Sequence, residues 1–175
     1  MKDRFIVALA LGLGLGRLPK APGTFGTLLG FPYLFVLLLL PSLTWLLLVA
    51  SVALLAGVWI CAEAERILQQ HDPGCVVIDE ILAIPFAGLG WMAWRGFFGA
   101  SGLPPVSELN WTEGLWWLVI FGVFRVFDIG KPWPVGVSQN LPGGWGVMAD
   151  DLLAACYTAA VTFAARWLVN LVFAV

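Results

Sequence analysis

Between Ala21 and Ala62 the chain runs for 42 residues without a single Asp, Glu, Lys or Arg. One crossing of a bilayer's hydrocarbon core takes only about 20 residues. A run this long has to fold back on itself. Pro41 and Ser42 supply the break, because proline cannot continue a helix interior and disfavours helical geometry in the residue before it. The expected hairpin therefore runs from about Thr24 to Leu40 and from Leu43 to Ala62. The rest of the 175-residue chain agrees: 61% of it is hydrophobic, 11% is charged, and its mean hydropathy is +0.92. Soluble domains do not have this balance.

Three shorter apolar runs follow, Ile81 to Trp94, Gly114 to Phe124, and Leu152 to Ala165, the last resuming after Arg166. Arg95 and Arg166 are expected to snorkel, with their stems in lipid and their guanidinium groups in water, and ten tryptophans supply interfacial anchors. The predicted fold is all-α: a polytopic membrane helical bundle of about five spans, forming a single domain over residues 1–175. The N-terminal "FIVALALGLGLG" is too short to span and reads as a re-entrant or interfacial segment.

With the N-terminus in the cytoplasm, Lys2, Arg4, Arg17, Lys20 and Arg66 satisfy the positive-inside rule. The loop from Gly99 to Glu113 then lies outside and carries Glu108 and Glu113 but no lysine or arginine. Three polar segments collect on the cytoplasmic face: "HDPGCVVIDE" (His71 to Glu80), "RVFDIGKPWP" (Arg125 to Pro134) and "GGWGVMADD" (Gly143 to Asp151). This topology gathers Asp79, Glu80, Asp128, Lys131, Asp150 and Asp151 at one membrane surface. Unit charges about 4 Å apart repel by roughly 4 kcal/mol at an effective dielectric near 20, so crowded carboxylates call for a cation. Carboxylate oxygens suit Mg2+, with Mn2+ as a substitute, and no His/Cys set favours zinc.

Each feature also has a plainer reading. A lone acid at a helix start is favoured by the macrodipole, and Arg125 and Asp128, three apart, can simply pair. Lys131 stands out more, because Pro132 and Pro134 are expected to hold "KPWP" extended and to fix the lysine over an anion. The Gly143–Gly144 turn either reverses the chain or forms a backbone nest for phosphate. The same two readings apply to "APGTFGTLLG", where Thr24 and Thr27 add hydroxyls and the glycines also suit helix packing. His71 and Asp72 are either loop residues or acid/base groups. Cys61, Cys75 and Cys156 are scattered, so no thiol-phosphatase loop exists, and a single histidine excludes a two-histidine mechanism. Metal-assisted attack by water remains.

"APGTFGTLLG", "HDPGCVVIDE", "FRVFDIGKPWPV" and "GGWGVMADDLLAA", in this order and spacing, resemble the motifs of the bacterial phosphatidylglycerophosphatase A family. The likeness covers about Gly12 to Ala155, and the second pair of motifs is the specific part. It implies an inner-membrane, magnesium-dependent enzyme that removes phosphate from phosphatidylglycerophosphate, with its site facing the cytoplasm. Carried over by position, Asp79, Glu80, Asp128, Asp150 and Asp151 form the pool of metal ligands. With His71, Asp72 and Lys131 they form the catalytic set, while Thr24, Thr27, Arg125, Lys131, Gly143 and Gly144 would contact substrate. Thr27 stands where the family often has serine, and Ala83 and Ala155 where it often has glycine; no proposed ligand is lost. The expected partners are the lipid substrate and the membrane, with no nucleic acid and with a homodimer left open. An aspartyl-phosphate intermediate stays open as well. The competing class is a transporter of a divalent cation or proton, since intramembrane carboxylates mark such paths too. Acids confined to one face and the absence of an internal repeat weigh against it.

Overall fold

The computed structural model describes residues 1–97, 103 and 111–173, and these are helical apart from turns and connections. Helix α1 (Lys2–Ala10) is followed by a 3₁₀ segment (Gly12–Arg17), and then α2 (Pro22–Leu37) and α3 (Leu43–Leu68) form the expected hairpin. Pro22 sits at the start of α2, where a missing N–H costs nothing. The Ser42 hydroxyl caps α3 by accepting the Trp45 N–H, and Gln69 ends it in the left-handed region at φ +53°. The third apolar run is split at Gly88 into α4 (Ile78–Ala87) and α5 (Leu89–Phe97). Helix α6 (Trp111–Gly130), the single-turn α7 (Val135–Ser138) and α8 (Gly144–Phe173) complete the bundle.

Small residues set the helix spacing. Gly30 lies against Ile84, aligning α2 parallel to α4, and Gly90 lies against the Ala159 carbonyl, aligning α4–α5 parallel to α8. A side chain at Gly144 would run into the Val58 carbonyl of α3, which runs antiparallel to α8. These close approaches are how membrane helices gain van der Waals contact without a hydrophobic driving force between them. Helices α2, α4–α5 and α8 thus run one way, and α3 and α6 run the other. The α1 segment is tied in by the hydrogen bond from the Val77 N–H to the Ala10 carbonyl, and its Asp3 lies 4.0 Å from Arg66 of α3.

Helices α3 and α8 are long and apolar enough to cross a membrane. Their outer faces are greasy: Trp45, Leu48, Val52, Leu55 and Trp59 on α3, and Leu168, Leu171 and Val172 on α8, are all exposed. Such contiguous apolar surface suits lipid rather than water.

One expectation for the far end of the bundle fails. Arg95 and Arg166 do not snorkel outward; both turn inward onto Glu113, which is buried in the first turn of α6 rather than lying in an external loop. Arg166 meets Glu113 through both terminal nitrogens, at 2.7 and 2.5 Å, with its guanidinium 4.1 Å from the centroid of the Trp94 ring. A bidentate partner and two aromatic faces, Trp94 and Trp116, offer this arginine more than the interface does. Glu108 of the same predicted loop lies outside the described residues.

Candidate active site

At the opposite end, the first turn of α4 and the second turn of α8 bring their acids together. Asp79, Glu80 and Asp151 each offer a carboxylate oxygen, and these oxygens lie within 4.8 Å of one another. All three residues are buried, with exposures of 7, 8 and 3%. At that separation each ionised pair repels by about 3 kcal/mol or more at an effective dielectric near 20. Asp79 Oδ1 and Glu80 Oε2 are buried without a hydrogen-bond partner among the described residues, as is Asp150 Oδ1. Unsatisfied buried acceptors that face one another are what a hard cation would satisfy.

Two cations border the cluster. Arg125 of α6 lies 2.5 Å from Asp128, 3.7 Å from Glu80 and 3.3 Å from the hydroxyl of the fully buried Thr27, so it bridges α6 to α2 and α4. Lys131 Nζ lies 2.6 Å from Asp150 Oδ2. Burial alone would lower the pKa of Lys131, but the hydrogen bond and charge of Asp150 outweigh it and hold the ammonium above the ordinary lysine value. Five carboxylates against these two cations leave the cluster strongly negative whenever all are ionised.

"KPWP" is not extended as expected. Residues 132–134 form a turn, and Lys131 itself adopts φ +42°, which folds its side chain back onto Asp150. A left-handed lysine is uncommon, and here it coincides with a partner that fixes the ammonium. Gly143 takes φ +60° as the chain enters α8, and Gly144 serves the approach to α3. Thr24 is half-buried at the start of α2, and its N–H bonds to the Ala21 carbonyl.

His71 and Asp72 stand apart from the carboxylate triad, on the exposed rim. Glu65 of α3 accepts hydrogen bonds from the Asp72 N–H (2.8 Å) and contacts His71 Nδ1 (2.7 Å), while Gln139 donates to Asp72. Two contributors were not singled out in the sequence. Glu65 has no local signal separating it from Glu63. Gly23 is different, since it lies within "APGT": a Cβ there would collide with Glu80 Oε1 and stand 3.2 Å from Arg125 Nη1. A larger residue there would have to displace the Glu80 carboxylate, which couples the start of α2 to the site.

A family model described as phosphatidylglycerophosphatase A matches residues 8–166 of the chain. A phosphatidylglycerophosphatase A of Haemophilus influenzae is 33% identical over 160 residues, covering 91% of this chain and 87% of the relative. One from Escherichia coli K12 is 30% identical over 158 residues, covering 89% and 80%. A Bacteroides thetaiotaomicron protein, provisionally named a phosphatidylinositol-3-phosphatase, is 33% identical over 170 residues, covering 94% and 95%. No solved structure gives a significant match.

Proposed function

Because the chain belongs to the phosphatidylglycerophosphatase A family, we infer that it removes the terminal phosphate of phosphatidylglycerophosphate, giving phosphatidylglycerol and inorganic phosphate. The observation that carries a site for this chemistry is the meeting of Asp79 and Glu80 with Asp151, from motifs about seventy residues apart, beside Lys131 and Arg125.

The cluster fits Mg2+. Asp79, Glu80 and Asp151 would hold it, with Asp128 and Asp150 alongside, since magnesium favours a few carboxylates plus water and phosphate oxygens. When bound, the ion supplies charge neutralisation at the phosphoryl oxygens and activates water as a nucleophile. The protein's own groups do the rest. Lys131, protonated and fixed by Asp150, binds a phosphate oxygen at the rim, while Arg125, held by Asp128 and Thr27, offsets the negative charge of the triad. Water attacks phosphorus, the bond to the glycerol oxygen breaks, and that oxygen takes a proton as phosphate leaves. His71 is engaged with Glu65 at the surface, so a carboxylate is the better candidate to manage the proton.

The membrane arrangement is part of the same reading. Helices α2, α3, α4–α5, α6 and α8 would make five crossings of the bacterial inner membrane. Arg66 and the basic N-terminal segment share the end of the bundle that holds the carboxylates, which supports a cytoplasmic site. A headgroup can meet acids there while its acyl chains stay in lipid.

The test is phosphate release in proteoliposomes containing phosphatidylglycerophosphate, phosphatidylinositol-3-phosphate or phosphatidic acid. The highest kcat/KM is expected for phosphatidylglycerophosphate. Turnover of the inositol lipid alone would transfer the assignment to the activity named for the Bacteroides relative.

A further inference from the structure

Cleavage involves only the headgroup, yet a diacyl lipid brings two chains that must lie somewhere beside the bundle. The face of α8 that presents Asp150 to Lys131 continues away from the site as Leu153, Tyr157, Ala160 and Val161, three, seven, ten and eleven residues on. At 3.6 residues per turn these form one stripe, and Tyr157 lies about 10 Å below Asp150. Tyr157 is a ridge on that stripe. Its ring stacks on Phe127 with centroids 5.2 Å apart, and its hydroxyl donates to the Trp133 carbonyl.

An apolar groove runs down each side of the ridge. One, of about 500 Å³, lies between α6 and α8 and is lined by Val119, Gly122, Val123, Val126, Phe127 and Val161. The other, of about 250 Å³, lies against Pro134, Leu153, Cys156, Tyr157 and Ala160. Both begin at residues adjoining the site, Phe127 next to Asp128 and Pro134 in the turn that carries Lys131. A third groove, of about 230 Å³ between α2 and α6, is lined from Leu28 to Phe121 without any residue of α8, so it lies off the stripe that carries Asp150.

We propose that the two grooves flanking Tyr157 seat the two acyl chains of the substrate, so that the lipid reaches the carboxylates sideways from the bilayer between α6 and the α7–α8 segment. The proposal rests on the lipid-phosphatase reading above. Lipid tails are as apolar as the groove walls, so the grooves contribute position rather than affinity. They hold the headgroup at the depth of Lys131.

Gly122→Phe tests this directly. Gly122 lines the larger groove and a Cβ there meets nothing within 4 Å, so a side chain at this position starts out into open groove space. Displacing the chain should lift the phosphate from its partners, and kcat/KM for the long-chain lipid should fall by about tenfold or more. A short-chain, freely dissolved form of the same lipid should be hydrolysed as by wild type. Leu48→Phe, on the exposed face of α3, should change neither substrate. Equal loss on both substrates, or no loss on the long-chain form, overturns the proposal. A second readout does not depend on turnover: phosphatidylglycerol with a photoreactive acyl terminus should label peptides carrying Val119 to Phe127 and Leu153 to Val161. Labelling spread evenly over the outer helices overturns the grooves even if phosphatase activity is found. Absence of hydrolysis by wild type, with labelling in place, overturns the phosphatase reading alone.

Discussion

Asp151→Asn should lower phosphate release by about 10²- to 10³-fold and, in metal-free protein, raise the melting temperature. Both outcomes follow from the same geometry. Asp151 is 3% exposed and shares the triad with Asp79 and Glu80. Removing its charge relieves two repulsive pairs, with Asp79 and with Glu80, each of about 3 kcal/mol before screening and desolvation are counted. A rise in melting temperature would show the cluster to be maintained at the expense of stability, as active sites commonly are. Magnesium should stabilise the wild type by about 2.7 kcal/mol at a hundred times its dissociation constant, and the variant by much less. Thermal unfolding in detergent, with chelator and then with magnesium, reads both effects. A variant less stable than wild type in chelator would mean that the acids support one another through shared protons rather than awaiting a cation.

Glu113→Ala should have the opposite profile, destabilising the protein by about 3–5 kcal/mol while leaving the chemistry of the folded fraction intact. Arg166 is only 8% exposed, and its charge is met by both oxygens of Glu113. Deleting the carboxylate leaves that charge buried beside Arg95, itself 3.8 Å from Glu113. The Trp91 indole N–H loses its acceptor as well. Arg166 lies fifteen residues along α8 from Asp151, about 22 Å, so the carboxylate site should not feel the change. Unfolding curves together with kcat per active site measure this. An unchanged melting temperature would show that the arginines are solvated by lipid headgroups or water instead.

The contrast between these two ends explains what the sequence could and could not disclose. The meeting of the acids was legible because each lies near one end of a helix inside a distinctive local motif, Asp79 and Glu80 in the first turn of α4 and Asp150 and Asp151 in the second turn of α8, and topology sends those ends to one face. The hairpin around Pro41 was legible for a similar local reason: Pro41 and the Ser42 cap act on their immediate neighbours. Glu113 and Arg166 are 53 residues apart and no local pattern joins them, so each looked like an ordinary interfacial charge. The turn at Lys131 was misread because two prolines suggest extension, whereas the chain bends there, with Lys131 at φ +42° and its ammonium on Asp150. Helix α8 begins at Gly144, eight residues before the apolar run expected from Leu152. Gly144 packs on α3, and Asp150 and Asp151 are carried inside the helix rather than at its mouth. Tertiary partners, absent from any local window, decided each of these cases.

The most direct test of the central claim is phosphate release from phosphatidylglycerophosphate by purified, chelator-treated protein as magnesium is added back, alongside Asp151→Asn. The site described here predicts negligible release without metal, saturable recovery with magnesium in the wild type, and no recovery in the variant. Full release in the presence of chelator, or equal recovery in Asp151→Asn, would contradict a cation held by Asp79, Glu80 and Asp151.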